Sequence, residues 1–158
     1  MASVNRPYGF QLWKNDGGAG VVHQEVQIDT NITIYPGDPL VRATDGYFTG
    51  CATAAAKIVG FAAEGVTGAV GVRPKIRMVP ALENYTFVAQ CMLTVNFTAA
   101  LAGVNRGLRR SGLFYGVHAG TTTVTSILAI IGLKPGSAWG TYAEVLCKVR
   151  GSGYTGQA

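Results

Sequence analysis

Charge is scarce in this chain. Only 13% of its 158 residues are Asp, Glu, Lys or Arg, and the eight acidic residues are spread singly, so no carboxylate cluster suggests a metal site. The only histidines, His23 and His118, leave a nucleophilic triad without an evident base, and no G-x-S-x-G elbow precedes a helix. Each histidine reads as an ordinary surface or partly buried residue. Gly136-Ser-Ala-Trp-Gly is superficially similar to an elbow but falls in a hairpin turn, where glycine serves backbone geometry. Cys51, Cys91 and Cys147 are odd in number, far apart and without C-x-x-C spacing, which excludes a disulfide framework or zinc knuckle and leaves reduced thiols. Gly17, Gly18 and Gly20 precede a strand, the wrong order for a phosphate loop. No apolar run reaches about 18 residues. The opening MASVNRPYGF lacks the basic and hydrophobic regions of a secretory signal, so the expectation is a soluble chain made in the cytosol. The N-x-T triplets at Asn31, Asn84 and Asn96 therefore carry no weight. These absences read as a protein that is not an enzyme, with no cofactor, no metal, no small-molecule substrate and no membrane span.

What is present is glycine, at 22 positions, and apolar side chains, at 48% of the chain. That composition favours strands and turns over surface helices. Mean hydropathy is mildly positive, and with so little charge this implies apolar surface covered by other chains. The expected architecture is all-β, an antiparallel barrel or sandwich with an extended N-terminal arm and at most one or two short helices. The expected layout is an arm over 1–20, a single β domain over 21–150 and a flexible tail over 151–158.

The strands are predicted from periodicity. Val26, Ile28, Ile32 and Ile34 share one parity in a long strand. Tyr35-Pro-Gly-Asp-Pro is a turn, and Leu40-Val-Arg-Ala with Thr44-Asp-Gly-Tyr outlines a hairpin. In turns of this kind Asp38 and Asp45 are expected to cap local backbone groups. Ile58-Val-Gly-Phe-Ala is a short strand, 65–71 a loop, and Lys75-Ile-Arg-Met-Val a strand ended or set at an edge by Pro80. A second long strand is expected over 87–97, one or two helical turns over 99–107, and weaker strands over 113–117 and 121–125. From Thr125 to Arg150 the pattern is a hairpin. Its first strand is apolar on both faces; its second places Ala143, Val145, Cys147 and Val149 opposite Glu144, Lys148 and Arg150. Trp139, between Gly136 and Gly140, is expected to fold over this hairpin against the core.

Net charge is +5 and the isoelectric point is near 9.3, but the basic residues are scattered. Their one cluster, Arg106, Arg109 and Arg110, lacks interleaved stacking aromatics, so it reads as a candidate anionic-contact patch or solvated loop rather than a nucleic-acid groove. The arm, with Arg6, Pro7, Tyr8, Phe10 and Trp13 before a glycine joint, is too aromatic to stay undocked and is a candidate interface. Whether it docks on its own subunit or on a neighbour stays open.

Asn5-Arg-Pro-Tyr-Gly-Phe, Tyr35-Pro-Gly-Asp-Pro-Leu with Asp45-Gly, Ile58-Val-Gly-Phe-Ala, Val79-Pro-Ala to Phe87-Val-Ala-Gln, Ile130-Ile-Gly-Leu-Lys-Pro and Trp139-Gly-Thr-Tyr-Ala-Glu-Val form an ordered series. Together, over about residues 5 to 150, they resemble a family of small head-associated structural proteins of tailed bacteriophages, regarded as capsid decoration, or cement, proteins. The resemblance implies no catalytic residues, a place on the outer surface of the virion head, the major capsid protein as partner, and self-association, with a homotrimer expected. The competing readings are a tail, neck or head-fibre base component and a basic nucleic-acid-binding barrel. Fibre parts usually carry repeats or a long coiled segment, and this chain has neither.

Overall fold

A computed structural model describes residues 8–51, 57–91, 98–103, 105–111, 114–118, 127–140 and 142–150. The fold is all-β, two antiparallel five-stranded sheets arranged as a sandwich rather than a closed barrel. The first sheet runs in the order β1 (Gln11–Asn15), β7 (Tyr85–Gln90), β12 (Glu144–Val149), β11 (Leu128–Leu133), β8 (Asn105–Arg106). The second runs β2 (Gln24–Gln27), β6 (Lys75–Pro80), β5 (Gly60–Ala62), β3 (Pro39–Arg42), β4 (Phe48–Gly50). A separate hairpin joins β9 (Leu108–Ser111) to β10 (Phe114–Val117), and Ala99–Leu101 makes one 3-10 turn.

The carboxy-terminal hairpin follows its sequence pattern on β12, where Val145, Cys147 and Val149 are buried and Glu144, Leu146 and Lys148 half-buried. On β11 the pattern holds for Leu128 and Ile130 only. The register slips between Ile130 and Gly132, and the resulting bulge leaves Ile131 exposed. Trp139 is also not buried: the ten-residue connection between β11 and β12 carries it past the strand ends, and it is 39% exposed.

The long strand expected from Val26 to Ile34 is interrupted. Asn31 takes a left-handed φ of 58°, which asparagine tolerates better than its β-branched neighbours would. Pairing resumes only as an isolated bridge between Ile34 and Val66. Ile28 meets Phe48 in another isolated bridge, so the β2 end of the second sheet curls round to its β4 edge without a continuous ladder. Val26, Ile28, Ile34, Leu40, Ile76 and Met78 fill the inside of this curl. On the other side of the sheet, Phe61, Val79 and Ala81 join Phe87, Ala89, Leu128, Ile130, Val145 and Cys147 in the core between the sheets. Alternation along β6 thus feeds two cores, Met78 into one and Val79 into the other. Of the predicted 87–97 strand, Tyr85–Gln90 is β7 and Cys91 bridges to Val117; 92–97 and the 121–125 candidate lie outside the described residues.

Within the extended arm expected over 1–20, Gln11–Asn15 is an edge strand of the first sheet. Arg6 and Pro7, like the tail over 151–158, lie outside the described residues.

Candidate functional site: the amino-terminal segment and its seat

The aromatic residues at the amino-terminal end take three different positions. Phe10 is 2% exposed, its ring stacked on Phe61 with centroids 4.7 Å apart, and Phe61 in turn lies 4.5 Å from Phe87. Phe10 therefore belongs to the core between the sheets and is a docking residue of its own subunit, not an outward contact. Tyr8 donates a 2.6 Å hydrogen bond to Glu144 Oε1 on β12. Trp13, at the register slip between Leu12 and Lys14, is 40% exposed and remains an available contact.

The Tyr35-Pro-Gly-Asp turn fixes the entry of this segment. Phe10 N–H donates to the Gly37 carbonyl at 2.9 Å, and Gly37 N–H donates to Ala62 on β5 at 2.8 Å. Gly9 and Gly37 both have positive φ and touch backbone to backbone; a Cβ on either would come within 3 Å of the other strand of chain. Asp38 caps the turn, its Oδ2 accepting Tyr35 N–H at 3.0 Å, while its Oδ1 is buried with no hydrogen-bond partner. Burial pushes this carboxyl up to about 6, against the opposing pull of Tyr35 N–H and the Arg110 guanidinium. Asp45 caps its own turn likewise, accepting Tyr47 N–H at 3.1 Å.

On the outer face of the first sheet, Lys134 Nζ lies 3.2 and 3.3 Å from the two Glu144 oxygens, next to the bond from Tyr8. Burial raises the Tyr8 phenol well above its ordinary value, and the hydrogen bond to Glu144 adds to that. Burial acts to raise Glu144 too, but Tyr8 and Lys134 outweigh it and hold the carboxyl below its ordinary value. The Glu144 carboxylate thus joins a hydroxyl donor on the amino-terminal segment to the Lys134 ammonium, an arrangement that fastens a segment. At the far end, Asp16 bridges to Lys148 and to Lys14. Beside the segment lies an apolar cavity of about 220 Å³ whose walls include Phe10, Leu12, Pro36, Phe61, Val79 and Phe87.

The three arginines lie on two different elements. Arg106 sits on β8, is 8% exposed and donates to the Asn105 carbonyl, because β8 pairs with β11 and its side chain is covered there. Arg109 and Arg110 are on β9, in the separate hairpin. The Arg110 guanidinium lies 5.5 Å from the Tyr115 ring centroid. The three cysteines are reduced and buried, with the Cys51 thiol donating to the Lys57 carbonyl; burial pushes Cys51 and Cys91 up to about 12 and Cys147 higher, so none is a thiolate at neutral pH. Among the described residues, no three His, Cys, Asp or Glu side chains gather as metal ligands, and no helix is long and apolar enough to cross a membrane.

Sequence reasoning found Tyr8, Phe10 and Trp13 but missed Phe61 and Gly37 as the partners of Phe10 and the Lys134-paired Glu144 as the partner of Tyr8. The Pro-Gly-Asp turn and the half-polar face of β12 were visible signals, yet neither says which distant segment will lie against it. Comparison with family models, curated proteins and solved structures finds no match to this chain.

Proposed function

We propose that the chain is a virion structural protein, a capsid decoration (cement) protein that binds the outside of a tailed-phage head as a homotrimer and stabilises the mature shell. The observation that carries this reading is the ordered series of segments from Asn5 to Val145 that resembles that family. Surface chemistry supports it: in a chain with 13% charged residues, Val22, Val70, Val72, Ile131 and Trp139 stand exposed, as suits a protein whose apolar surface is covered by neighbours. Trp13 adds a large apolar contact on the outer edge strand. The major capsid protein is the partner this reading names, and no reaction is assigned. Many modest contacts made by a symmetric oligomer add through effective concentration, and selective binding to the mature lattice stabilises that state by mass action.

The test uses particles assembled without the protein. They are expected to form, to rupture at lower temperature than complete particles, and to recover when purified protein is added back. Failure to assemble at all, or no recovery on add-back, would overturn the reading in favour of a shell, scaffold or tail component.

A further inference from the structure

The segment from Tyr8 to Asp16 is bound to its seat as a ligand is, by a set of contacts at both ends and along one edge, and is joined to the rest of the chain through an exposed connection. We propose that the same seat along β7 accepts the amino-terminal strand of a second copy, so that copies exchange residues 8–16 and form a strand-swapped homo-oligomer.

Four observations carry this. First, complementarity is already built. The ladder of β1 on β7, the Phe10 ring on Phe61, Phe10 N–H on Gly37, Tyr8 on Glu144 and Asp16 on Lys148 all lie between the segment and the body of the chain. Each is remade unchanged when the segment comes from another copy, so exchange costs association entropy and whatever the hinge gives up, and protein concentration sets its extent. Second, the connection suits a hinge. Gly17 to His23 are all exposed, a Cβ at Gly18 or Gly20 would meet nothing within 4 Å, and Val22 N–H to the Tyr85 hydroxyl is the bond that ties this stretch to its own body. Seven such residues extended reach about 24 Å, enough to cross to an adjoining copy. Third, the cavity beside Phe10 and Leu12 means the seat is incompletely filled, which lowers the cost of lifting the segment. Fourth, the outer edge of β1 is interrupted by the register slip and carries Lys14, features that oppose further strand addition there. A visiting strand therefore replaces β1 on β7 instead of lengthening the sheet.

The exchange does not depend on attachment to a capsid, and its test uses none. Lys14 and Thr86 are cross-strand partners in the β1 and β7 register. Full-length Lys14→Cys protein and full-length Thr86→Cys protein are mixed, refolded together from urea under reducing conditions, and oxidised after folding. Within an unexchanged copy only one of the two new thiols is present, and position 86, 1% exposed beneath β1, is out of reach of a thiol on a colliding copy, so a covalent heterodimer linked through positions 14 and 86 reports strands that cross between copies. The expected result is heterodimer on a non-reducing gel, its fraction rising with protein concentration. A single chain carrying both substitutions reports that the position cross-links; an internal disulfide in that chain with no heterodimer at any concentration overturns the proposal. A second variant removes the dependence on disulfide geometry. Deleting Gly17 to Gly20 shortens the hinge so that the strand cannot return to its own body, and light scattering is expected to find a folded oligomer. A folded monomer overturns the proposal.

Discussion

Phe10→Ala tests whether the amino-terminal segment is part of the core. The ring is 2% exposed, stacks on Phe61 and belongs to the cluster between the two sheets. Truncating a buried phenylalanine costs about 3–5 kcal/mol, and the stacked pair adds about 0.5–1.5 kcal/mol beyond burial. A cavity already borders the ring, so the neighbours surround it incompletely, and the lower figure, about 3 kcal/mol, is the expected loss. With a slope of about 2 kcal/mol per molar urea for a chain of this size, the unfolding midpoint should fall by about 1.5 M. Trp13→Ala is the matched comparison from the same segment. At 40% exposure on an edge strand, its loss should stay below about 1 kcal/mol. A Phe10→Ala midpoint within about 0.5 M of wild type, or equal losses for the two variants, would refute the placement of this segment. In a double-mutant cycle with Phe61→Ala, the coupling should be about 0.5–1.5 kcal/mol.

Asp38 supplies a pH test. Its carboxyl is raised from the ordinary 3.8 to about 6 by burial, so the folded state holds a proton that the unfolded chain has released. Its stabilising contribution is therefore complete below about pH 4 and is lost as pH rises through about 6, at a cost of about 3 kcal/mol by neutral pH. Asp38→Asn should remove this loss, so the stability of the variant relative to wild type should grow by up to about 3 kcal/mol between pH 4 and pH 7 in urea titrations; a constant difference would show that Asp38 ionises freely. Trp139→Ala should cost below about 1 kcal/mol, because a ring 39% exposed on a long connection makes few core contacts. A loss near 3 kcal/mol in the same assay would mean the ring is packed.

The sequence by itself determined the fold class and the strands whose pattern is local. Alternation placed Val145, Cys147 and Val149 on one buried face of β12, because side chains on a strand alternate between its two faces wherever the strand is put. Turn chemistry was equally local: Asp38 and Asp45 cap backbone groups within three residues of themselves. Tertiary structure decided what depends on distant neighbours. Asn31 breaks an apparently continuous strand as the chain turns toward Val66, and a bulge exposes Ile131 within an unbroken apolar run. Arg106 is covered while sequence-near Arg110 is exposed, because β8 and β9 belong to different sheets. The amino-terminal aromatics show the division most clearly. Their apolar bulk required that they dock, but composition cannot choose between two seats of equal chemistry. Only the arrangement of β7, the Pro36-Gly37 turn and Phe61 around one opening assigns Phe10 to the core and leaves Trp13 outside it.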